Sequence, residues 1–592
     1  MKFVGLVSGG KDSLFNILHC VENGHELVCL ANLHPPEGVA DEMDSFMYQT
    51  VGYHALSMYG ECLGVPLYRG AIEGSSKAIG LEYEATEKDE TEDLFRLLKT
   101  VKECQPEVEG VSVGAILSNY QRTRVEDVCN RLGLTSLAFL WQRRQDELLD
   151  EIVDSGVDAR IIKTAAVGLG KQHLGRSLGE ARADLIKYHE MYGIHLCGEG
   201  GEYETLVVDA PIFRKRLHLD MQNSHIKDLS SEFVSYLERI KVDLHEKDTS
   251  PQSWHIPVPP LLNERFRETH DEDCPDIDYP STGTTETSKD EKAVYIECQS
   301  STYRTENDAI VFNNLQSPDN NNPDIEKETQ RVFNLLDEEL QKHNLDYASL
   351  TSITLLLKDM GDFDTVNRIY KTRFSRSLPP ARLCIATRRI VGMVQLSAVA
   401  SEAARTGLHV QGCSYWAPSN IGPYSQAIFT NDVYYFSGQI GLIPATLQLH
   451  TSLKTQSILA LQNLVNVAVA QSADINAVFC FITDRNLYKP IQQIWKSVAQ
   501  ALDPVETLVK ARNNLVVAVV DNLPKNAAVE WAALGSTSTS CAEFFVTSTL
   551  PKSHLQSIVF TTTRTSTPGH VIPVNAVYDA NSSQISLAAV VM

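Results

Sequence analysis

The chain contains no uninterrupted apolar run of about 18 residues or more, so no membrane-spanning helix is expected. Its twelve cysteines are scattered and no two form a C-x-x-C pair. That argues against a zinc site or a disulfide framework and suits a reducing cytoplasm. Basic charge is also scarce: 52 lysines and arginines stand against 75 aspartates and glutamates, for a net charge of −23. The broad basic footprint of a nucleic-acid-binding protein is missing, and no direct nucleic-acid binding is expected. The first residues carry no secretory-signal pattern. What remains is an ordinary globular composition, 43% hydrophobic, over 592 residues. That is too long for one hydrophobic core, and several domains are expected.

Residues 1–240 alternate strand-like and helix-like segments. Val28–Leu33, Gly110–Ile116 and Arg160–Val167 read as strands, and Asp44–Gly60, Leu94–Cys104 and Arg124–Leu132 as helices. This alternation predicts βαβ units around a mainly parallel, Rossmann-like sheet. The acidic run Glu82–Asp93 reads as a solvated loop or helix start. Residues 246–292 lose apolar periodicity, gain Pro, Ser, Thr and acidic residues, and read as a flexible linker. Two similar α+β blocks follow, at 293–405 and 411–535. Their long helices are expected at Ile325–His343 and Thr455–Ser472, with a strand and a second helix after each. Residues 536–592 form a Ser/Thr-rich extension with short strand-like runs at Ser557–Phe560 and Ile585–Val591.

Three short stretches carry chemistry. The first strand leads into Ser8-Gly9-Gly10-Lys11-Asp12-Ser13 and then a helical pattern. Adjacent glycines, two hydroxyls, a lysine and a helix N-terminus make an anion cradle. Its spacing differs from the common phosphate loop G-x-x-x-x-G-K-[ST], and a plain helix-capping turn would use the same residue types. The second stretch, Gly114-Ala115-Ile116-Leu117-Ser118-Asn119-Tyr120-Gln121-Arg122-Thr123-Arg124, is either a nucleotide- or carboxylate-binding strand end or a capped turn with solvated arginines. The third, Gly198-Glu199-Gly200-Gly201-Glu202-Tyr203-Glu204-Thr205, crowds three glutamates that need solvent or a cation nearby. An exposed glycine turn is the alternative.

Taken together and in order, these three motifs resemble the diphthine–ammonia ligase family of the ATP pyrophosphatase (PP-loop) superfamily. Asp44–Thr50, Leu140-Trp141 and Leu174-Gly175-Arg176 extend the resemblance over the first 240 residues. It implies an adenine nucleotide alpha hydrolase type of fold and an AMP-forming ligase of diphthamide biosynthesis. ATP and Mg²⁺ would be the cofactors, and ammonia and a translation elongation factor two carrying diphthine the partners. Ser8, Gly9, Gly10, Lys11, Asp12 and Ser13 would hold the pyrophosphate, with Asp12 reaching the metal. Lys11, Asp12, Glu199 and Glu202 would be catalytic. Ser118, Tyr120, Gln121, Arg124, Trp141, Tyr203 and Glu204 would line the substrate side, with Tyr203 or Trp141 stacked on the quaternary ammonium of diphthine. An RNA-modifying ATP pyrophosphatase is the nearest alternative.

The two later blocks resemble the Rid/YjgF family, with its chorismate-mutase-like α+β fold and interfacial clefts that hydrolyse enamines and imines. Ala417–Ala427, which includes Tyr424-Ser425-Gln426, matches the family's opening motif, and Ser437-Gly438-Gln439 a second one. The first block keeps Pro379-Pro380-Ala381-Arg382, the segment with the substrate-binding arginine, whereas the second has Pro504-Val505-Glu506 there. The position of the family's acid falls on Ser397 and Ala532. A Rid-like cleft at Arg382, Tyr424, Ser425 and Gln426 would therefore lack its acid and serve for assembly, docking, metabolite binding or local ammonia supply.

Overall fold

The computed structural model describes residues 1–36, 45, 47–49, 51–80, 82–229, 233–247, 254–272, 296, 298–305, 308–319, 323–374, 377–501, 511, 514–537, 545–547, 557–561, 570–578, 584–585 and 587–591. They form two compact units, Met1–Pro259 with Gln411–Trp416, and Pro260–Val410 with Ala417–Met592.

The first unit runs β1 (Lys2–Leu6), α1 (Lys11–Glu22), β2 (Glu26–His34), α2 (Tyr59–Leu63), β3 (Leu67–Ala71), α3 (Glu90–Cys104), β4 (Gly110–Ser112), α4 (Asn119–Leu132), β5 (Thr135–Leu137), α5 (Gln145–Asp154), β6 (Asp158–Thr164), α6 (Leu178–Tyr192), β7 (Tyr203–Asp209), β8 (Lys215–Leu219), β9 (His225–Leu229), β10 (Val234–Arg239) and β11 (Val242–Glu246). The first five strands make one parallel sheet in the order β3-β2-β1-β4-β5. Leu94, Leu97, Leu98 and Val101 of α3 and Val125 and Val128 of α4 pack on Val4, Ala31 and Val111 of the sheet. Strand order reverses between β1 and β4, and the loops leaving their carboxyl ends diverge to leave a crevice, the usual ligand position in such sheets. An antiparallel sheet β7-β6-β10-β9 and the pair β11-β8 complete the unit.

Two expectations fail here. The described part of 44–60 is no long helix: it is irregular up to a 3-10 turn at Ala55–Met58, and Gly52 has φ +80°. The acidic run is a loop and helix start as expected, with Glu82, Glu84 and Glu87 exposed, and fails only in being solvated throughout, because Asp89, Glu90 and Asp93 are buried. Asp89 caps α3 by accepting from Thr91 N and also accepts from Lys77 N and Ala78 N, while Asp93 accepts from Glu73 N and Gly74 N. Clustered carboxylates persist inside the protein because backbone N–H groups satisfy them.

The second unit begins with α7 (Glu264–Glu272), inside the stretch expected to be a flexible linker. Phe266 and Thr269 lie three apart on its face and are buried, which gives this segment an apolar anchor. The two duplicated modules follow. The first is β12 (Ser301–Arg304), β13 (Ile310–Leu315), α8 (Ile325–Lys342), β14 (Leu350–Leu357), α9 (Phe363–Arg373), β15 (Ala381–Ala386) and β16 (Val394–Ala400). The second is β17 (Thr406–Leu408), β18 (Ala427–Thr430), β19 (Val433–Ile440), α10 (Leu453–Ala470), β20 (Ala473–Ile482), α11 (Tyr488–Ala501), β21 (Leu515–Val519) and β22 (Val529–Thr537). Their sheets repeat one topology: β12-β13-β16-β14-β15, and β18-β19-β22-β20-β21 within a larger sheet. In each module the last-mentioned pair is parallel and the remaining pairings antiparallel. Val311, Leu356 and Ile385 of one sheet share a core with Tyr435, Phe479 and Val516 of the other.

The Ser/Thr-rich extension contributes strands as well. Ala576–Tyr578 pairs antiparallel with β21 and Gln584–Ile585 pairs with it in turn. Phe545–Thr547, Ser557–Thr561, His570–Pro573 and Leu587–Val591 form a separate four-stranded sheet. No helix among the described residues is long and apolar enough to cross a membrane.

Candidate active site

The first unit holds a cavity of about 400 Å³ at the crevice between β1 and β4, within the range of about 300–1,000 Å³ usual for small-molecule sites. Its lining includes the apolar Val7, Leu33, Met47, Leu97, Val113 and Val125 and the polar Ser8, Lys11, Asp12, Ser13, Glu199 and Glu204. Apolar lining suits a base, and polar lining beside a helix N-terminus suits phosphate.

The turn after β1 is shaped by glycine. Gly9 has φ +89°, a conformation costly for other residues. Its carbonyl accepts from Val207 N (2.8 Å) and Tyr59 Oη (3.2 Å), and Lys11 N donates to Thr205 Oγ1 (3.0 Å). The turn is therefore held against β7. A Cβ on Gly114 would lie 2.6 Å from backbone atoms of Asp12 and Ser13, so only glycine lets the β4 loop pass the start of α1.

Lys11 is buried, and its Nζ donates to Asp12 Oδ2 (2.7 Å) and to the carbonyl of Cys197, above the ring of Tyr203 at 5.1 Å. Burial disfavours its charge, but Asp12, Tyr203 and Cys197 together outweigh that and hold its pKa above the ordinary lysine value. The second Asp12 oxygen, Oδ1, is buried without a hydrogen-bond partner. Glu199 Oε1 accepts from Leu117 N and Ser118 N, both at 2.9 Å, at the N-terminus of α4. Burial raises its pKa above the usual glutamate range.

The structure brings Ser8, Gly10, Lys11, Asp12, Ser13, Gln121, Glu199, Tyr203 and Glu204 to the cavity wall. The other expected residues stand elsewhere. Glu202 turns back, its Oε1 accepting from His195 N at 2.9 Å. Ser118 caps α4, accepting from Gln121 N at 3.2 Å. Arg124 is fully buried and pins a neighbouring loop, donating to the carbonyls of Ala78 and Gly80 with its guanidinium 3.2 Å from the centroid of the Tyr120 ring. Trp141 sits in the sheet's core beneath the guanidinium of Arg122, 4.9 Å away. Of the two aromatics expected to stack on a quaternary cation, Tyr203 alone lines the cavity. Asn32, Tyr48, Gln49 and Thr205 also line it without having been assigned a role. Gln49 belongs to the 44–50 stretch that extends the family resemblance, which was the available signal; Asn32 had none.

A second cavity lies within the second unit. It is small, about 20 Å³, and is lined by Arg382 of β15 together with Tyr424, Gln426, Gly438 and Glu530, room for a water molecule. Arg382 Nη1 donates to Asn367 Oδ1 (2.6 Å), and its guanidinium lies 4.7 Å from the Tyr424 ring centroid. Ser425 Oγ donates to Pro379 O (2.6 Å), and Gln426 exchanges hydrogen bonds with the backbone of Val410; these two hold the loop. The family's acid position carries no acid in either module, but the cavity is not without one. Ser397 and Ala532 supply none, but Glu530, two residues before Ala532 on the same face of β22, points into this cavity. Burial raises its pKa to about 8, against the opposing pull of Arg382. A Cβ on Gly438 would lie 1.8 Å from Glu530 Oε1, so this glycine makes room for the acid. Pro504-Val505-Glu506 lies outside the described residues.

The comparisons agree with this division. The diphthamide synthase N-terminal domain model matches residues 1–136 and the corresponding C-terminal domain model matches 144–241. The endoribonuclease L-PSP model matches residues 313–397 and 415–535. A crystal structure of the conserved Rid protein YyfA from Yersinia pestis is 29% identical, with 23% of this chain and all of that chain covered and a TM-score of 0.20. A diphthine–ammonia ligase from Rattus norvegicus is 50% identical over 255 residues, which is 42% of this chain and 95% of that protein. One from Schizosaccharomyces pombe is 40% identical over 547 residues, covering 90% of this chain and 87% of that protein. With both halves matched in order at that identity, the chain belongs to the diphthine–ammonia ligase family.

Proposed function

We propose that the chain amidates the carboxylate of diphthine on translation elongation factor two, using ATP and ammonia, and releases AMP and pyrophosphate. The observation that carries this reading is the cavity at the β1/β4 crevice, lined by Lys11 at the start of α1 together with apolar side chains such as Val7, Leu33 and Val113. ATP would lie with its base against Val7, Leu33 and Val113 and its pyrophosphate end over Gly10 and Ser13. The diphthine carboxylate oxygen attacks the α-phosphorus, the α–β bridging bond breaks, and pyrophosphate leaves. Lys11 offsets the charge that develops there. Ammonia then adds to the acyl carbon of the adenylate, AMP leaves, and a proton is lost to give the amide. Tyr203 and Glu204 stand where a quaternary ammonium would find an aromatic face and a carboxylate.

Mg²⁺ fits this site through one residue. Asp12 Oδ1 is buried and unpartnered on the cavity wall, and no cluster of three or more His, Cys, Asp or Glu suited to a metal occurs among the described residues. One carboxylate with phosphate oxygens and waters is the usual Mg²⁺ arrangement at a nucleotide. Bound there, the ion would neutralise phosphate charge.

A second reading concerns the other unit. Arg382 and the protonatable Glu530 face one cavity; the space now has room for water alone, and with its walls parted the pair would hold a small imino acid and deliver water to it. Imine plus water would give a carbonyl compound and ammonia, the co-substrate of the ligase.

The test is purified chain with ATP, ammonium and a diphthine-bearing elongation factor. AMP should form in step with the mass loss of OH replaced by NH₂. AMP release that instead requires tRNA would overturn the reading. For the second unit, Arg382→Ala should slow amidation when an imine is the sole ammonia source and leave it unchanged with ample ammonium.

A further inference from the structure

Gln411–Trp416 stands in sequence between β17 and β18 of the second module yet belongs to the first unit, so the chain crosses between the units three times. The segment lies along β5, the edge strand of the parallel sheet. Cys413 N donates to Ser136 O and Cys413 O accepts from Ala138 N, both at 2.8 Å, making a parallel bridge between Cys413 and Leu137. An uncovered sheet edge presents unpaired backbone groups, and adding an extended segment satisfies them.

Side chains of α1 and α4 recognise the flanks of this bridge. Gly412 N donates to Glu126 Oε1 of α4 at 2.8 Å. Glu126 is buried, and its other oxygen pairs with the equally buried Arg122 at 2.7 Å. A Cβ on Gly412 would stand 3.1 Å from Glu126 Oε1 and 3.2 Å from Ser136 Oγ, which selects a small residue there. The Tyr415 hydroxyl meets Asn23 Nδ2 and His19 Nδ1 of α1, its ring lies 5.0 Å from that of Phe139, and Trp416 packs on the sheet's core.

We propose that the β5 edge, with the notch between α1 and α4, is a docking site for an extended segment with a glycine followed three residues later by tyrosine. Gln411–Trp416 fills it in this chain, and its seating holds α4 where the nucleotide cavity needs it. Gln121 and Val125 of α4 line that cavity, and Glu126 follows Val125 directly. Without the Gly412 N–H, a buried carboxylate on α4 loses one of its partners, and α4 loses a bond to the segment beside β5. Residues from the C-terminal half of the chain thereby become positioning residues for the N-terminal site. The inference rests on reading the cavity as the ATP site, but the docking itself does not.

The test uses full-length Cys413→Pro, which removes the N–H that bonds Ser136. Amide exchange in Asn119–Leu132, measured without nucleotide, should accelerate. The KM for ATP should rise about tenfold with kcat nearly kept, as unseating the segment, and with it the charge-assisted bond from Gly412 N to Glu126, would give. A synthetic peptide of residues 410–417 should reverse both changes. Unchanged exchange in α4, or exchange that excess peptide fails to restore, would overturn the docking site. Faster exchange with an unchanged KM would overturn the coupling. Absence of AMP formation by the wild-type chain would instead defeat the proposed function. If Cys413→Pro does not fold, the decision passes to Tyr415→Phe, which removes the hydroxyl that meets Asn23 and His19. It should move exchange and KM in the same direction by a smaller factor, and no movement in either would overturn the proposal.

Discussion

The cavity beside Lys11 and the cavity beside Arg382 both set a buried cation near a carboxylate, half-buried in the first and buried in the second, but the pairs are built differently. In the first, Lys11 and Asp12 are neighbours on one helix turn and touch at 2.7 Å, with one Asp12 oxygen left over on the wall of a space of about 400 Å³. In the second, Arg382 and Glu530 come from different modules and face a space of about 20 Å³. Lys11 keeps its charge because the groups around it, Asp12 foremost, together offset its burial. Glu530 is pushed towards its neutral form because burial outweighs the arginine. A roomy cavity with fixed charge suits a large anionic nucleotide; a tight one with a proton held at about neutral pH suits a small molecule and a proton transfer.

The largest expected effect separates the two. Lys11→Ala should lower AMP formation about a thousandfold, the scale for losing a charge aimed at a developing negative charge. The thermal transition of the second unit should stay in place. A fall of only a few-fold would mean that Lys11 serves the Cys197 carbonyl rather than the phosphate.

The second prediction reverses the roles. The Glu530 carboxyl has a folded pKa of about 8, above the ordinary glutamate value of 4.5. Between those two values the folded state binds the proton that the unfolded state has released. Its contribution to stability is therefore full below the lower value and lost as pH rises through about 8. The melting temperature of the second unit should fall between pH 6 and pH 9. Glu530→Gln, which cannot ionise, should lose that part of the slope, and scanning calorimetry of both proteins at the two pH values reads the difference. Parallel slopes would place the Glu530 carboxyl in a wetter setting than its burial indicates.

The contrast also explains what could be read in the sequence. The parallel sheet, the repeated α+β modules and the loop at Ser8–Ser13 were legible because each depends on a local pattern: alternation, helical spacing or a glycine turn. Glu530 was passed over because its strand, Val529–Thr537, is otherwise uncharged and mostly apolar, and what identifies the acid is Arg382 opposite it, far away in the chain. The buried carboxylates at Asp89 and Asp93 were misread for a related reason. Backbone N–H groups that satisfy them come from Glu73, Gly74, Lys77 and Ala78, and composition says nothing about donors supplied by a loop. The strand-like pairing of Gln411–Trp416 with β5 is similarly invisible, since a six-residue segment carries too little periodicity to declare a partner.

The smallest effect is the most discriminating within the first site, because Ser118 stands where capping and ligand binding give different numbers. Its hydroxyl accepts from Gln121 N, and its own N–H donates to Glu199 Oε1. Ser118→Ala removes the first bond and leaves the second. As a cap it should cost about 1 kcal/mol of stability, read as a small drop in the melting temperature of the first unit. The kcat/KM of adenylation should stay within about twofold, since a surviving backbone bond keeps Glu199 at the start of α4. A large loss of kcat/KM without loss of stability would move the hydroxyl from the cap onto the substrate. The contrast between Lys11 and Ser118 would then vanish, and both loops at the β1/β4 crevice would have to be counted as contacting the nucleotide.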